Sequence, residues 1–179
     1  MKKKVIITGP PGSGKSTLLH ALEKQGFQCM QEVSRAIIRS EQNLGKDGMP
    51  WKNMERFAQL VFNKTLTILP TDQSTFCDRS LVDTIAYLED AQVETLKELK
   101  QFKFHDYYHS TVFFTPPWSD IYIQDPQRPQ QFEEHIALSK KLKEVYIRLG
   151  FRLIQVPLTN IKTRVKFITR NSSIIINTL

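Results

Sequence analysis

Apolar runs of strand length alternate along this chain with segments whose apolar residues recur at helical spacing. The runs predict strands at 4–8, 27–31, 74–77, 111–115 and 151–156. Alternation of this kind is typical of an α/β protein with a mostly parallel sheet and helices packed on it. Because 179 residues is the size of one ordinary domain, we expect residues 1–179 to form a single domain.

Three helical segments are visible between these strands. Residues 15–25 carry apolar positions at helical spacing and stop at Gly26, a usual C-terminal breaker. Residues 52–69 end before Pro70 and are predicted to bury one stripe, formed by Met54, Phe57, Leu60, Val61 and Leu66. A third helix ends at Gly150 and is predicted to bury Phe132, Ile136, Val145, Tyr146 and Leu149. The closing NSSIIINTL, 171–179, fits an added edge strand, an oligomer contact or a frayed terminus.

The stretch GPPGSGKST, 9–17, lies between the first predicted strand and the first predicted helix. It fits the Walker A phosphate-loop pattern G-x-x-x-x-G-K-[ST], in which glycines let backbone N–H groups point at phosphate oxygens. We expect Lys15 to reach the β- and γ-phosphates of ATP and the Ser16 hydroxyl to ligate Mg²⁺. The predicted nucleotide-binding residues are Gly9, Gly12, Ser13, Gly14, Lys15, Ser16 and Thr17.

A second candidate element is FCDRS, in which an apolar strand ends at Asp78. A carboxylate there can complete the magnesium shell opposite Ser16, the task of a Walker B acid. Arg79 occupies the position where AAA+ motors usually carry a second acid, which favours a phosphate-clamping arginine over a motor. The alternative is that Asp78 only caps the helix beginning near Ser80.

A third element is MQEVSR, where Glu32 follows the second predicted strand and Arg35 comes three residues later. Because ligands of open α/β sheets gather at the carboxyl ends of the strands, we expect Glu32, Asp78 and the phosphate loop to converge. Glu32 could then accept the proton of an attacking hydroxyl, and Arg35 could bind the acceptor. The alternative is an ordinary first-turn glutamate favoured by the helix dipole.

A polar, proline-containing segment, DIYIQDPQRPQ at 120–130, follows the fourth strand. Its position suits a lid, around 117–130, that carries Arg128 to the transferred phosphate. A plain surface loop is the alternative.

The net charge of +7 favours anionic partners, but the basic residues are scattered, and the single run at 2–4 fits a solvated terminal tail. Nucleic acid is therefore disfavoured as a partner. Cys29 and Cys77 lack the spacing of a zinc site, and no apolar run approaches the roughly 20 residues of a membrane span. The opening VIIT is also too short for a signal peptide, so we expect a cytoplasmic protein. The oligomeric state stays open.

These motifs in their order, together with QEVSRAIIR, FCDRSLVDTIAY and IYIQDPQR, resemble the small AAA-type P-loop domain related to bacterial ribosylnicotinamide kinase domains. The DRS segment is also similar to that of deoxynucleoside and thymidylate kinases. The resemblance covers nearly the whole chain and implies a P-loop fold with the sheet order 2-3-1-4-5. It also implies Glu32 as a base, Asp78 and Arg79 at the metal and phosphates, and Arg128 on a lid.

Three functions fit these residues. The first is a Mg·ATP-dependent kinase that phosphorylates a small hydroxyl-bearing acceptor, nucleoside-like or vitamin-like. The second is an NTP hydrolase or nucleotide switch with a protein or lipid partner, although the N-K-x-D segment of guanine-specific switches is absent. The third, a nucleic-acid motor, has only the net charge in its favour.

Overall fold

The computed structural model describes residues 3–70, 75–122 and 132–177. Its strands form one parallel sheet in the order β2-β3-β1-β4-β5, the predicted kinase-type order. The strands are β1 (Val5–Thr8), β2 (Cys29–Met30), β3 (Phe76–Asp78), β4 (Thr111–Phe114) and β5 (Arg152–Gln155). All five are shorter than the predicted apolar runs, and β2 is shortened most because it lies at the edge and pairs only with the three-residue β3.

Eight helices are described, and they cover both faces of the sheet. They are α1 (Lys15–Glu23), α2 (Val33–Asn43), α3 (Met54–Ile68), α4 (Leu81–Asp90), α5 (Lys97–Gln101), α6 (Phe104–Tyr107), α7 (Phe132–Arg148) and α8 (Ile161–Asn177). Val5 and Ile7 of β1 pack towards α1 and α8, whereas Ile6 packs with the core under α2, α3, α4 and α7. This alternation along a buried strand produces a three-layer α/β fold.

The closing segment is not an edge strand. Residues 161–177 form α8, which packs on α1 and includes most of the NSSIIINTL stretch. The sequence carries the signal for this helix, since Ile161, Val165 and Ile168 recur at helical spacing after Asn160. The Asn160 side chain accepts a hydrogen bond from the Thr163 amide at 3.0 Å, as an N-terminal cap does.

Two residues assigned to buried helical stripes are exposed instead. Leu66 is 36% and Ile136 is 39% exposed. Each lies one residue beyond a buried neighbour, Thr65 or His135, and one residue turns the side chain about 100° around the helix. Within the described ranges, no helix is both long and apolar enough to cross a bilayer.

Candidate functional site

The phosphate loop leaves β1 in a conformation that its glycines make possible. Gly9, Gly12 and Gly14 have positive φ angles of 147°, 76° and 78°. The Ser13 hydroxyl donates to the Pro10 carbonyl at 2.8 Å and lies 2.7 Å from the Thr115 hydroxyl, at the end of β4. The loop is therefore anchored to the sheet through Ser13.

Gly9→Ala is expected to destabilise the protein more than Gly26→Ala does. Both glycines have positive φ, but a Cβ at Gly9 would overlap the Thr115 backbone carbonyl, whereas nothing lies within 4 Å of one at Gly26. Gly26→Ala is the control and should lower the free energy of unfolding by about 1–2 kcal/mol, because alanine disfavours this backbone conformation. Gly9→Ala should lower it by about 2–3 kcal/mol more, because of the overlap. Urea unfolding followed by circular dichroism measures both, and equal costs would contradict the described loop.

Lys15 is buried, and its amine is held within its own loop. Its Nζ donates to the carbonyl oxygens of Gly9 at 2.8 Å and Pro10 at 2.7 Å, and to the Ser13 hydroxyl at 3.3 Å. Burial, followed by the positive charge of Arg79, lowers the pKa of Lys15 to about 7, against the opposing effect of nearby carboxylates. An anion beside this amine would favour its charged form.

Asp78 ends β3 as a buried carboxylate. Its Oδ1 has no hydrogen-bond partner among the described residues. Burial, and to a smaller extent the Glu32 charge, raises the pKa of Asp78 to about 6. The helix that follows is capped by Ser80, whose hydroxyl accepts from the Val82 amide at 3.1 Å, so Asp78 is not its cap.

Arg79 links the ends of three strands from an unusual backbone conformation, with a φ of 65°. Its Nε donates to Glu32 Oε1 at 3.0 Å, and its Nη1 donates to the Gly9 carbonyl at 3.1 Å. Nη1 also donates to Asp83 Oδ1 at 3.4 Å. Nearby Tyr87 and these carboxylates raise the pKa of Arg79 despite its burial, so it stays charged.

Asp83 is a site residue that the sequence reasoning missed. Its buried carboxylate accepts from the Ser80 amide at 2.8 Å, from Tyr146 Oη at 2.5 Å and from the Thr8 hydroxyl. The signal was present in the sequence, because Ser80 and Asp83 have the S-x-x-D spacing of a capping box. Asp83 thus fixes the start of α4 and one side of Arg79.

Glu32 lies just before α2 and points at the arginines rather than capping the helix. Its side chain makes no capping hydrogen bond, and Oε2 accepts from Arg35 Nε at 3.2 Å. Burial alone would raise the pKa of Glu32, but Arg79, Lys15 and Arg35 outweigh burial and lower it. Glu32 is therefore ionised at neutral pH, and Arg35 is largely exposed beside it.

One cavity of about 1180 Å³ joins these groups. It is lined by the phosphate loop, including Gly12, Ser16 and Thr17, and by Glu32, Arg35, Asp78 and Arg79. The structure therefore brings together the groups that the sequence placed at the carboxyl ends of the first three strands. Arg128 and the rest of 123–131 lie outside the described residues; within the segment predicted as a lid, Ser119–Ile121 form a short 3-10 turn.

The same cavity is bounded on the α8 side by Arg164, which the sequence reasoning also missed. This buried guanidinium donates through Nη2 to the Ser13 carbonyl at 3.2 Å and lies 5.4 Å from the centre of the Trp118 ring. Burial lowers its pKa. Arg164 therefore braces the phosphate loop from the face of the sheet covered by α1 and α8.

A family model described as an AAA domain matches residues 4–164. The chain belongs to this AAA domain family. Deoxyadenosine kinase from M. mycoides, with dCMP and dCDP bound, superposes with a TM-score of 0.67 at 17% identity, covering 96% of this chain and 100% of that one. No curated protein matches the chain.

Two further solved structures have the same fold as this AAA domain. Thymidylate kinase from Ehrlichia chaffeensis has a TM-score of 0.57 at 15% identity, with 95% and 98% of the two chains covered. The YorR protein of Bacillus subtilis, in complex with phosphorylated GDP, has a TM-score of 0.61 at 13% identity, with 96% of each chain covered. At these identities the likeness establishes a P-loop kinase-type fold.

Proposed function

We propose that this AAA domain is a Mg·ATP-dependent kinase that transfers the γ-phosphate to a hydroxyl group of a small acceptor. The supporting observation is the convergence of Lys15, Glu32, Asp78 and Arg79 on one cavity that continues past Glu32 between α2, α3 and α4. A hydrolase needs room only for a water molecule beside the γ-phosphate, so the additional space favours a kinase with a bound acceptor. The nucleotide-binding neighbours of the same fold support this proposal, as does the family to which the chain belongs.

In the proposed reaction the acceptor oxygen attacks the γ-phosphorus while its proton passes to the Glu32 carboxylate. The new P–O bond forms as the bond to the β–γ bridging oxygen breaks, and ADP leaves with that electron pair. Lys15 and Arg79 stabilise the phosphoryl oxygens, where the charge of a loose transition state resides. Arg35 orients the acceptor beside Glu32, and Arg128 is proposed to reach the phosphate from the lid.

The residues near the phosphate loop fit a magnesium ion. Asp78 supplies a buried carboxylate oxygen without a hydrogen-bond partner, and Ser16 supplies an exposed hydroxyl at the start of α1. Oxygen ligands of this kind, together with substrate phosphates, are those Mg²⁺ prefers. When bound, the ion would neutralise charge on the β- and γ-phosphates.

Asp78→Asn should raise the magnesium concentration needed for half-maximal turnover by about tenfold or more, since a neutral amide replaces the anionic ligand. The KM for the acceptor should change little, because Asp78 belongs to the nucleotide side of the site. Steady-state rates over a magnesium titration measure this. Asp90→Asn, on the exposed end of α4, is the matched control; an unchanged magnesium requirement in Asp78→Asn would remove Asp78 from the metal site.

ATP binding at pH 8 should take up on the order of one proton. The pKa of Lys15 is about 7 in the free protein, so its amine is mostly neutral at pH 8. Phosphate beside it raises that pKa and the amine becomes charged, so binding should weaken as pH rises above 7. Calorimetry in two buffers of different protonation enthalpy measures the uptake. Binding without proton exchange at pH 8 would contradict this role of Lys15.

ADP release tests the proposed function as a whole. The rate should rise above the rate in water alone when hydroxyl-bearing acceptors are supplied, and DNA should have no effect. Stimulation only by DNA would favour a motor. A rate that no acceptor raises would favour the hydrolase or switch.

A further inference from the structure

The cavity extends past Glu32 into a compartment between three helices. We call it the acceptor compartment and define it by Ile38, Phe57, Val61, Thr65, Thr84 and Tyr87. Three of these residues, Phe57, Val61 and Thr65, recur every four positions on α3 and are all buried. They therefore share one face of α3, which we call the α3 wall. At 1.5 Å per residue the α3 wall is about 12 Å long.

The wall of the acceptor compartment is apolar, with hydroxyl groups as its polar atoms. Thr65 and Thr84 are 4% and 5% exposed, and Tyr87 adds a phenol whose pKa burial raises to about 12. Among its six defining residues there is no charged or carboxamide side chain. Arg39 and Gln42 also line the cavity, but both are exposed on α2.

The buried carboxylate beside the acceptor compartment is already engaged at the phosphate side. Asp83, next to Thr84 on α4, accepts from Ser80, Tyr146 and Arg79. Its carboxylate oxygens are therefore occupied by these donors, although Asp83 also lines the cavity. Along the α3 side the body of an acceptor would meet side-chain carbon atoms and the Thr65 hydroxyl, whereas the exposed Arg39 and Gln42 lie on the α2 side.

We infer that the acceptor is an alcohol with an uncharged, largely apolar body, aromatic or branched aliphatic, rather than a nucleoside or a sugar. A nucleobase edge or a row of sugar hydroxyls buried against α3 would find the Thr65 hydroxyl as its one polar partner on that side, and each polar atom left unpaired weakens binding. An apolar body gains free energy in proportion to the apolar area that it removes from water. The inference rests on the proposed function, and the transfer step is the one written above.

A panel of acceptors tests the inference on the intact protein with Mg·ATP. The apolar members are indole-3-ethanol, 2-naphthalenemethanol and 3-methyl-3-buten-1-ol, and the polar members are thymidine, 2′-deoxyadenosine and ribose. Phosphorylated product is measured for each. We expect kcat/KM at least about tenfold higher for the best apolar alcohol than for any polar member, the ratio that about 1.4 kcal/mol produces.

Val61→Asn places a carboxamide in the middle of the α3 wall and should raise KM for the apolar alcohol about tenfold or more while leaving KM for ATP unchanged. Leu66→Asn, on the exposed side of the same helix, is the matched control and should change neither. Val61→Thr keeps the shape of valine and replaces one methyl by a hydroxyl. Val61→Thr should raise the KM for the apolar alcohol by a smaller factor than Val61→Asn does. It replaces Val61→Asn as the test variant if Val61→Asn does not fold.

The outcomes separate the inference from the proposal beneath it. Efficient phosphorylation of a nucleoside or ribose, with the apolar alcohols inactive, would overturn the inference and leave the kinase in place. An unchanged KM for the apolar alcohol in both Val61 variants would also overturn it. ADP release at the water rate with every acceptor would overturn the kinase proposal and the inference together.

Discussion

Lys15→Ala should lower turnover about 10³-fold and weaken ATP binding by at least about tenfold. The amine of Lys15 lies inside the phosphate loop, within 2.8 Å of two of its carbonyl oxygens. A triphosphate brought to this loop would meet that charge at its β- and γ-oxygens. Titration calorimetry gives the affinity, and single-turnover rates at saturating ATP give the loss in the chemical step.

Removing Lys15 also takes one of two side-chain donors from each of the Gly9 and Pro10 carbonyls, so a loss of folding must be separated from a loss of binding. Lys24→Ala, at the exposed C-terminal end of α1, removes the same charge from the same helix and should leave both quantities unchanged. Circular dichroism establishes that both variants are folded. A folded Lys15→Ala that binds ATP as tightly as the parent would refute nucleotide binding through this loop.

Glu32→Gln should lower kcat about 10²- to 10⁴-fold, the range for loss of a general base, with little change in KM for ATP. Arg79 and Arg35 hold this carboxylate by hydrogen bonds of 3.0 and 3.2 Å at the end of β2. The pKa of Glu32 is lowered, so its carboxylate is ionised across the neutral range. Titration of Glu32 should therefore not change the rate between pH 7 and 8.

The matched control for Glu32→Gln is Glu55→Gln, an exposed first-turn glutamate of α3. Both changes remove one negative charge near a helix N-terminus, but only Glu32 lines the cavity. We expect Glu55→Gln to retain the parent rate. If Glu32→Gln also turned over a true acceptor at that rate, Glu32 would have no part in proton transfer, and its contacts with Arg79 and Arg35 would be structural.

The fold could be predicted largely from local signals. The phosphate-loop spacing requires a strand before it and a helix after it, and period-two and period-3.6 patterns locate most of the other elements. The order of the strands came from resemblance rather than periodicity, because a parallel sheet brings together segments far apart in sequence. The C-terminal helix was missed where apolar residues such as Ile174 and Ile175 suit either a helix or a strand.

The sequence predicted those site residues that occupy a fixed position in a known motif and have one chemical role there. Gly9, Lys15 and Asp78 were predicted in this way, and the structure places them at the ends of β1 and β3 and at the start of α1. Arg164 was not, because its position depends on helix packing across the sheet; the capping-box spacing marks Asp83 at the start of a helix, but its contact with Tyr146 depends on such packing. Arg164 reaches the Ser13 carbonyl across 151 positions of sequence, and Asp83 meets Tyr146 across 63. Contacts between residues so far apart in sequence form only in the folded chain, so a single sequence does not reveal them.

The destination of the γ-phosphate tests the central claim most directly. ATP labelled with ³²P at the γ-position is incubated with the protein, magnesium and the acceptor panel, and the products are separated. The kinase account predicts label on an acceptor hydroxyl in amounts equal to the ADP formed, with both signals lost in Lys15→Ala. Label appearing only as inorganic phosphate, at a rate that no acceptor changes, would contradict it.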